Sequence, residues 1–172
     1  VGAAVSRDLK QKGFLSLFYA GIGLLIYIWW RFKISYSVAA ILALTHDVII
    51  TVGMFSITGR EISLPVIAAF LTVIGYSLND TIIIFDRIRE NIKKATGPFD
   101  YPSLLDSSIS QTLSRTLITS STTLFVVLAL FLFGGSVINN FAFAIMVGLI
   151  VGTYSSIFIA SPILLLFSRT KK

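Results

Sequence analysis

The chain has 172 residues, 55% of them hydrophobic and only 13% charged, with a mean hydropathy of +0.89. Soluble domains carry about 25% charged residues, so the composition excludes a basic soluble domain, and the formal charge of +6 is accounted for by Lys and Arg at membrane-helix ends without a nucleic-acid partner. The absence of cysteine excludes disulfides and thiolate metal sites. The opening VGAAVSRDLKQKG carries neither an initiating Met nor a signal-peptide pattern, and it reads as the start of a fragment of a longer protein.

A helix that crosses a bilayer needs about 20 mostly apolar residues. Five segments qualify, at about 14–30, 35–57, 64–85, 116–134 and 138–167. The first ends in Trp29 and Trp30, followed by Arg31 and Lys33. Gly134 and Gly135 separate the last two, and Pro162 is placed to kink the fifth, which is longer than a bilayer requires. Between the third and fourth spans, SLLDSSISQTL reads as a separate amphipathic helix within about 99–114, with Ser103 as its N-cap and Leu105, Ile109 and Leu113 as a narrow apolar stripe lying on the membrane surface. The fold class is therefore all-α: one membrane domain of five transmembrane helices plus this amphipathic segment.

Orientation follows from the basic residues. One side holds Arg31, Lys33, Arg87, Arg89, Lys93, Lys94, Arg115, Arg169, Lys171 and Lys172; the other holds Arg7, Lys10, Lys12 and Arg60. The richer side is expected to be cytoplasmic, which places the start of the chain outside and its end inside.

Polar side chains stand at three places where lipid-compatible residues are expected: His46 and Asp47 in the second span, Asp80 in the third, and the run SRTLITSSTT with Arg115 opening the fourth. An ionisable group inside a membrane helix costs several kcal/mol to insert, so it faces protein or a water-filled cavity. Helix-to-helix polar contacts in membranes return only about 0.6–2 kcal/mol, so gluing helices is a poor sole reason to keep Asp80. Thr72, Tyr76 and Asp80 recur at a spacing of four and are expected on one inward face, with Ser77 and Thr81 flanking it and Asn79 beside Asp80. The functional reading is a proton relay in which Asp80 forms an ion pair with Arg115 that an arriving proton breaks; the bland alternative has Arg115 snorkelling to headgroups. Asp47, with Thr51 one turn on, adds to the polar interior and can face the helix of Asp80. His46 reads as an interhelical hydrogen-bond donor, because adjacent helical residues point about 100° apart and one His–Asp pair does not make a metal site. Gly148 and Gly152 have the GxxxG spacing of close helix packing, and Asp86 with Arg89 and Glu90 with Arg87 read as short-range ion pairs.

The string ALTHDVIITVGMFSITGREISLPVIAAFLTVIGYSLNDTIIIFDRIREN resembles the hallmark block of the SecD/SecF protein-export membrane proteins, within the resistance–nodulation–division superfamily. SRTLITSSTTLFVVLALFLFGG and FAFAIMVGLIVGTYSSIFIASPILL are similar to the SecF branch of that family. The resemblance implies that this chain corresponds to helices two to six of a six-helix protein, the first helix and a periplasmic domain being absent. It implies that Asp80 takes part in proton translocation with Arg115, and that His46 and Asp47 match a pair of less settled role. It also implies no cofactor other than protons as coupling ion, no covalent catalysis, and residence in the bacterial cytoplasmic membrane. The implied partners are SecD, the SecYEG translocon with accessory membrane subunits, the translocating preprotein and the lipid bilayer. The rival readings are another proton-coupled exporter of the superfamily and an intramembrane aspartyl protease using Asp47 and Asp80 as a dyad.

Overall fold

The computed structural model describes residues 3–169. Its elements are α1 (Ala3–Arg31), α2 (Ile34–Ile57), α3 (Leu64–Lys94), α4 (Tyr101–Phe133), α5 (Gly135–Ser155), a π-helical turn (Ser156–Ala160) and α6 (Ser161–Arg169). The five expected spans are all present as long apolar helices, the fifth running from α5 through the π turn into α6. Lys171 and Lys172, counted above among the basic residues, lie outside the described residues.

Local signals explain most boundaries. Pro65 and Pro102 sit in the first turns of α3 and α4, where a missing N–H costs nothing and the fixed φ suits a helix start. Gly135 adopts φ +72°, a left-handed conformation that favours glycine, and turns the chain between α4 and α5. At the end of α5 the backbone widens into the π turn one residue ahead of Ser161–Pro162. Proline in a helix interior removes a hydrogen bond and crowds the carbonyl four residues back, and the wider turn accommodates both. The Ser161 hydroxyl donates to the Ser156 carbonyl at 3.2 Å across it.

One expectation changes form. The helix over 99–114 exists, but it runs without a break into the fourth span as a single helix of 33 residues. No Gly or Pro interrupts residues 103–133, and the Ser and Thr hydroxyls that suggested a boundary bond back to carbonyls of their own helix. Its N-cap is Asp100, whose carboxylate accepts from the Ser103 backbone N–H at 3.1 Å and the Ser103 hydroxyl at 2.6 Å, so Ser103 is the capped residue and not the cap. Leu105 is buried in the core with Ile109 packed beside it, while Leu113 remains exposed.

The core has two apolar halves. Near the basic end, Phe32, Tyr36, Ile84, Phe85, Ile88 and Leu164 form one cluster; toward the other end, Phe55, Phe70, Val127, Phe143 and Leu149 form another. Helix α3 contributes to both, and α5 lies directly against it. A Cβ on Gly148 would overlap the Val73 side chain, and one on Gly152 would come within 3.0 Å of Ser77 Cβ. The GxxxG pair thus lets α5 approach α3 as closely as backbones allow.

Ionic contacts close the ends. Arg31 of α1 pairs with Asp86 of α3 at 3.1 Å, with Arg89 at 3.6 Å from the same carboxylate; Arg87 and Lys94 each reach Glu90 at 2.6 Å. At the opposite end Arg60, in the α2–α3 turn, donates to the side-chain oxygens of Asn139 and Asn140 at 2.6 Å each, and its guanidinium lies 4.3 Å from the Phe143 ring centre. This last latch joins two helical hairpins and had no sequence signal beyond an isolated basic residue in a loop.

Candidate functional site

Between the two apolar clusters lies a layer of buried polar side chains: Asp47 and Thr51 from α2, Ser77, Asp80 and Thr81 from α3, Thr116 from α4, and Ser155 at the end of α5. Helices α3 and α4 run antiparallel, and a ladder of polar pairs sets their register. Tyr76 OH and Thr123 Oγ1 are 3.0 Å apart, Ser120 Oγ donates to Asp80 Oδ2 at 3.4 Å, Arg87 Nε donates to Gln111 at 2.6 Å, and Asn91 Nδ2 donates to Ser108 at 2.8 Å.

Asp80 is 3% exposed. Its hydroxyl partner Ser120 accepts in turn from Thr153 Oγ1 of α5 at 2.8 Å, so a short chain runs from α3 through α4 to α5. One turn along the same face of α4, Thr116 is buried and its hydroxyl has no hydrogen-bond partner among the described residues. An unpaired buried hydroxyl costs about 1–3 kcal/mol, and it stands next to the part of the bundle that holds Asp80.

Arg115 does not meet Asp80. By the ladder register it lies about one turn, some 5 Å, nearer the basic end. It lines an open cleft of about 590 Å3 with Ile83, Asp86, Arg87, Glu90, Gln111 and Thr112, and no ion pair joins it to Asp80. The expected Asp80–Arg115 pair is therefore not formed in this structure: the register places a serine, not the arginine, opposite the carboxylate.

The second carboxylate is held differently. Asp47 is 1% exposed and accepts from the Ser155 hydroxyl at 2.7 Å and from the Ser77 hydroxyl, both on Oδ2. Its other oxygen is 3.1 Å from His46 Nδ1, whose side chain is one-third exposed. Thr51 donates to the Asp47 backbone carbonyl at 2.7 Å. Asp47 does face the helix of Asp80, as expected, but through Ser77; the two carboxylates address different hydroxyls and share no hydrogen bond.

The proposed inward stripe on α3 is only partly realised. Tyr76 and Asp80 turn to α4, whereas Thr72 is exposed and bonds to its own Ala68 carbonyl at 3.1 Å. Each four-residue step overshoots a helical turn by about 40°, so Thr72 and Asp80 stand some 80° apart. Asn79, adjacent to Asp80, is exposed as well. Sequence reasoning missed Ser120, Thr123, Thr153 and the serine ligands of Asp47. The signal available was hydroxyl richness in SRTLITSSTT and GTYSS, which cannot by itself say which hydroxyl turns inward.

Five membrane-length helices enclosing a layer of buried carboxyls and hydroxyls define a polytopic membrane helix bundle with an ionisable interior. Comparison with known proteins agrees and is more specific. The family model described as "Protein export membrane protein SecD/SecF, C-terminal" matches residues 1–170, and the chain belongs to that family. It is 55% identical over 167 residues to the protein translocase subunit SecF of Desulfurispirillum indicum, covering 95% of this chain and 53% of that protein. It is 53% identical over 173 residues to the SecF subunit of Calditerrivibrio nitroreducens, covering 100% of this chain and 57% of that one. The chain thus spans about half the length of the curated relatives it matches. Among solved structures, the crystal structure of SecDF, a translocon-associated membrane protein from Thermus thermophilus, superposes with a TM-score of 0.91 at 48% identity, covering 98% of this chain and 23% of that one.

Proposed function

We propose that this chain is the membrane domain of a SecF-type subunit that draws on the proton-motive force to assist protein translocation. In this reading it pairs with a SecD partner beside the SecYEG channel in the bacterial cytoplasmic membrane, acts on a translocating preprotein and carries out no covalent chemistry. Protons are the coupling ion and no other cofactor is required. The basic ends of α1, α3 and α6 face the cytoplasm, in keeping with the excess of Lys and Arg there.

The observation that carries the reading is Asp80: a carboxylate 3% exposed within a membrane helix, with no cation paired to it among the described residues and a single long hydrogen bond from a neighbouring helix. Helix cohesion does not repay that insertion cost. Protonating Asp80 removes its charge and weakens its hold on Ser120, and through Thr153 the change reaches α5. Arg115, at the cleft beyond Ile83, offers a cation to the ionised carboxylate when α4 shifts toward it. An elementary charge crossing 100 mV supplies about 2.3 kcal/mol, enough to bias two helix arrangements of similar energy. Tyr76, His46 and Asp47 support this interior without carrying the relay at Asp80, whereas Thr72 and Asn79 lie on its exposed side.

The test is Asp80→Asn in membrane vesicles containing the assembled export complex. Assembly is expected to persist while proton-dependent export is lost. Full proton-dependent export by the variant would overturn the relay.

A further inference from the structure

Asp47 presents a problem that the relay at Asp80 leaves unused. It is the most fully enclosed carboxylate of the polar layer, and among the described residues no Lys or Arg pairs with it. Its one ionisable neighbour is His46, with Nδ1 3.1 Å from Oδ1. Charge balance then constrains the pair. With one proton shared between Nδ1 and Oδ1 it is neutral overall or a compensated ion pair. With none it is a bare anion in a low dielectric, and with two it is an uncompensated cation. A lone buried carboxyl has no partner to exchange its proton with; here the imidazole supplies a second acceptor at 3.1 Å and is itself one-third exposed, less enclosed than the carboxylate.

The surroundings are otherwise hydroxyl. From α3 Ser77 donates to Oδ2, and Asp80, one turn further, is turned to Ser120. From α5 Ser155 donates to Oδ2, while Tyr154 stacks on Phe158 and is exposed. Tyr76 is engaged by Thr123 of α4; on α1, Arg31 is held by Asp86 at the basic end and Lys12 lies at the opposite end. On α2 itself, Tyr36 packs on Phe32 and Phe85 in the apolar cluster near the basic end.

Two further features give a proton at this pair a mechanical consequence. Ser155 is the last residue of α5, and the π turn begins at the next residue, so the donor to Asp47 sits where the helical register is already broken. Two residues earlier Thr153 ends the chain of hydroxyls from Asp80. Both carboxylates are therefore wired to the same short stretch of α5.

We propose that His46 and Asp47 form a second proton-exchanging site, distinct from Asp80, whose protonation sets the grip of α2 on the α3–α5 interface at the start of the π turn. The inference rests on the reading of this chain as a proton-driven bundle and adds a second group to its pH response. Taking the proton onto Oδ1 weakens Oδ2 as an acceptor and loosens Ser77 and Ser155; returning it to His46 restores the clamp.

The decisive experiment compares His46→Gln, Asp47→Asn and Asp80→Asn in the assembled complex, recording the pH profile of proton-driven export and the pH-difference infrared spectrum in the carboxyl region. His46→Gln keeps a donor but cannot titrate, and its partly exposed position makes it the variant that decides if Asp47→Asn fails to assemble. The expected result is a profile that loses one ionisation in both His46→Gln and Asp47→Asn, with a pH-dependent carboxyl band absent from Asp47→Asn and displaced in His46→Gln. A profile and spectrum identical to the parent in His46→Gln overturn the second site. Asp80→Asn separates the two claims: if it exports normally while His46→Gln changes the profile, the assignment of Asp80 fails and the second site stands.

Discussion

Asp47 and Asp80 are both acids buried in one polar layer, yet the bundle treats them in opposite ways. Asp47 is clamped on one oxygen by serines from two helices and on the other by His46, and the helices that clamp it approach at a glycine pair. Asp80 has one hydroxyl at 3.4 Å, an unpaired threonine hydroxyl in the adjoining turn of α4, and an arginine one turn further toward an open cleft. A fully satisfied buried network rigidifies, while a partly satisfied one leaves arrangements of similar energy. By that measure the α2–α3–α5 contact is the stiffer of the two, released only when Asp47 takes a proton, and the α3–α4 contact is where movement is cheap. Tight hold and loose hold on the same chemical group thus meet on α3 within about one helical turn, at Ser77, which binds Asp47 of α2, and at Asp80.

The contrast can be broken by mutation, beginning with the largest effect. Asp47→Ala strands the Ser77 hydroxyl, leaves Ser155 only its longer bond to the Gly152 carbonyl and opens a void, and is expected to cost about 3 kcal/mol of bundle stability. Asp80→Ala, which gives up the long Ser120 bond and a contact with the neighbouring Asn79 side chain, is expected to cost about 1 kcal/mol. Denaturant titration in mixed micelles measures both, and equal losses would remove the distinction between the stiffer contact and the looser one. Next, Gly148→Val drives a side chain into Val73 and is expected to destabilise by about 2 kcal/mol, with the loss read by the same titration and by greater protease sensitivity around α5; unchanged stability would mean that α3 and α5 are not in close contact. The smallest effect has the opposite sign. Thr116→Val removes an unpaired hydroxyl at nearly constant shape, so it is expected to stabilise by about 0.5–1 kcal/mol, whereas a loss of stability would show that the hydroxyl has a partner.

Much of this was legible in the sequence, because length and hydropathy are one-dimensional signals. The five spans, the Gly134–Gly135 break and the GxxxG contact follow from them directly, as does the burial of Asp47 and Asp80. What could not be read was register. Whether Asp80 meets Arg115 or Ser120 depends on how α4 slides along α3, and a displacement of about 5 Å exchanges one for the other. The same holds for Ser77 and Ser155, which come from helices separated by most of the chain. The continuity of α4 was obscured by its serines and threonines: these favour boundaries in water, but in an apolar setting their hydroxyls return to the helix's own carbonyls. The π turn was foreshadowed only by Pro162, which signals a kink without specifying its form.

The central claim is that the loosely held carboxylate carries the proton. The most direct measurement is proton uptake into vesicles bearing the assembled complex during translocation under an imposed pH gradient, comparing the parent with Asp80→Asn. The expected result is that translocation-coupled uptake disappears in Asp80→Asn while the complex remains assembled. Uptake at the parental rate in that variant would contradict it.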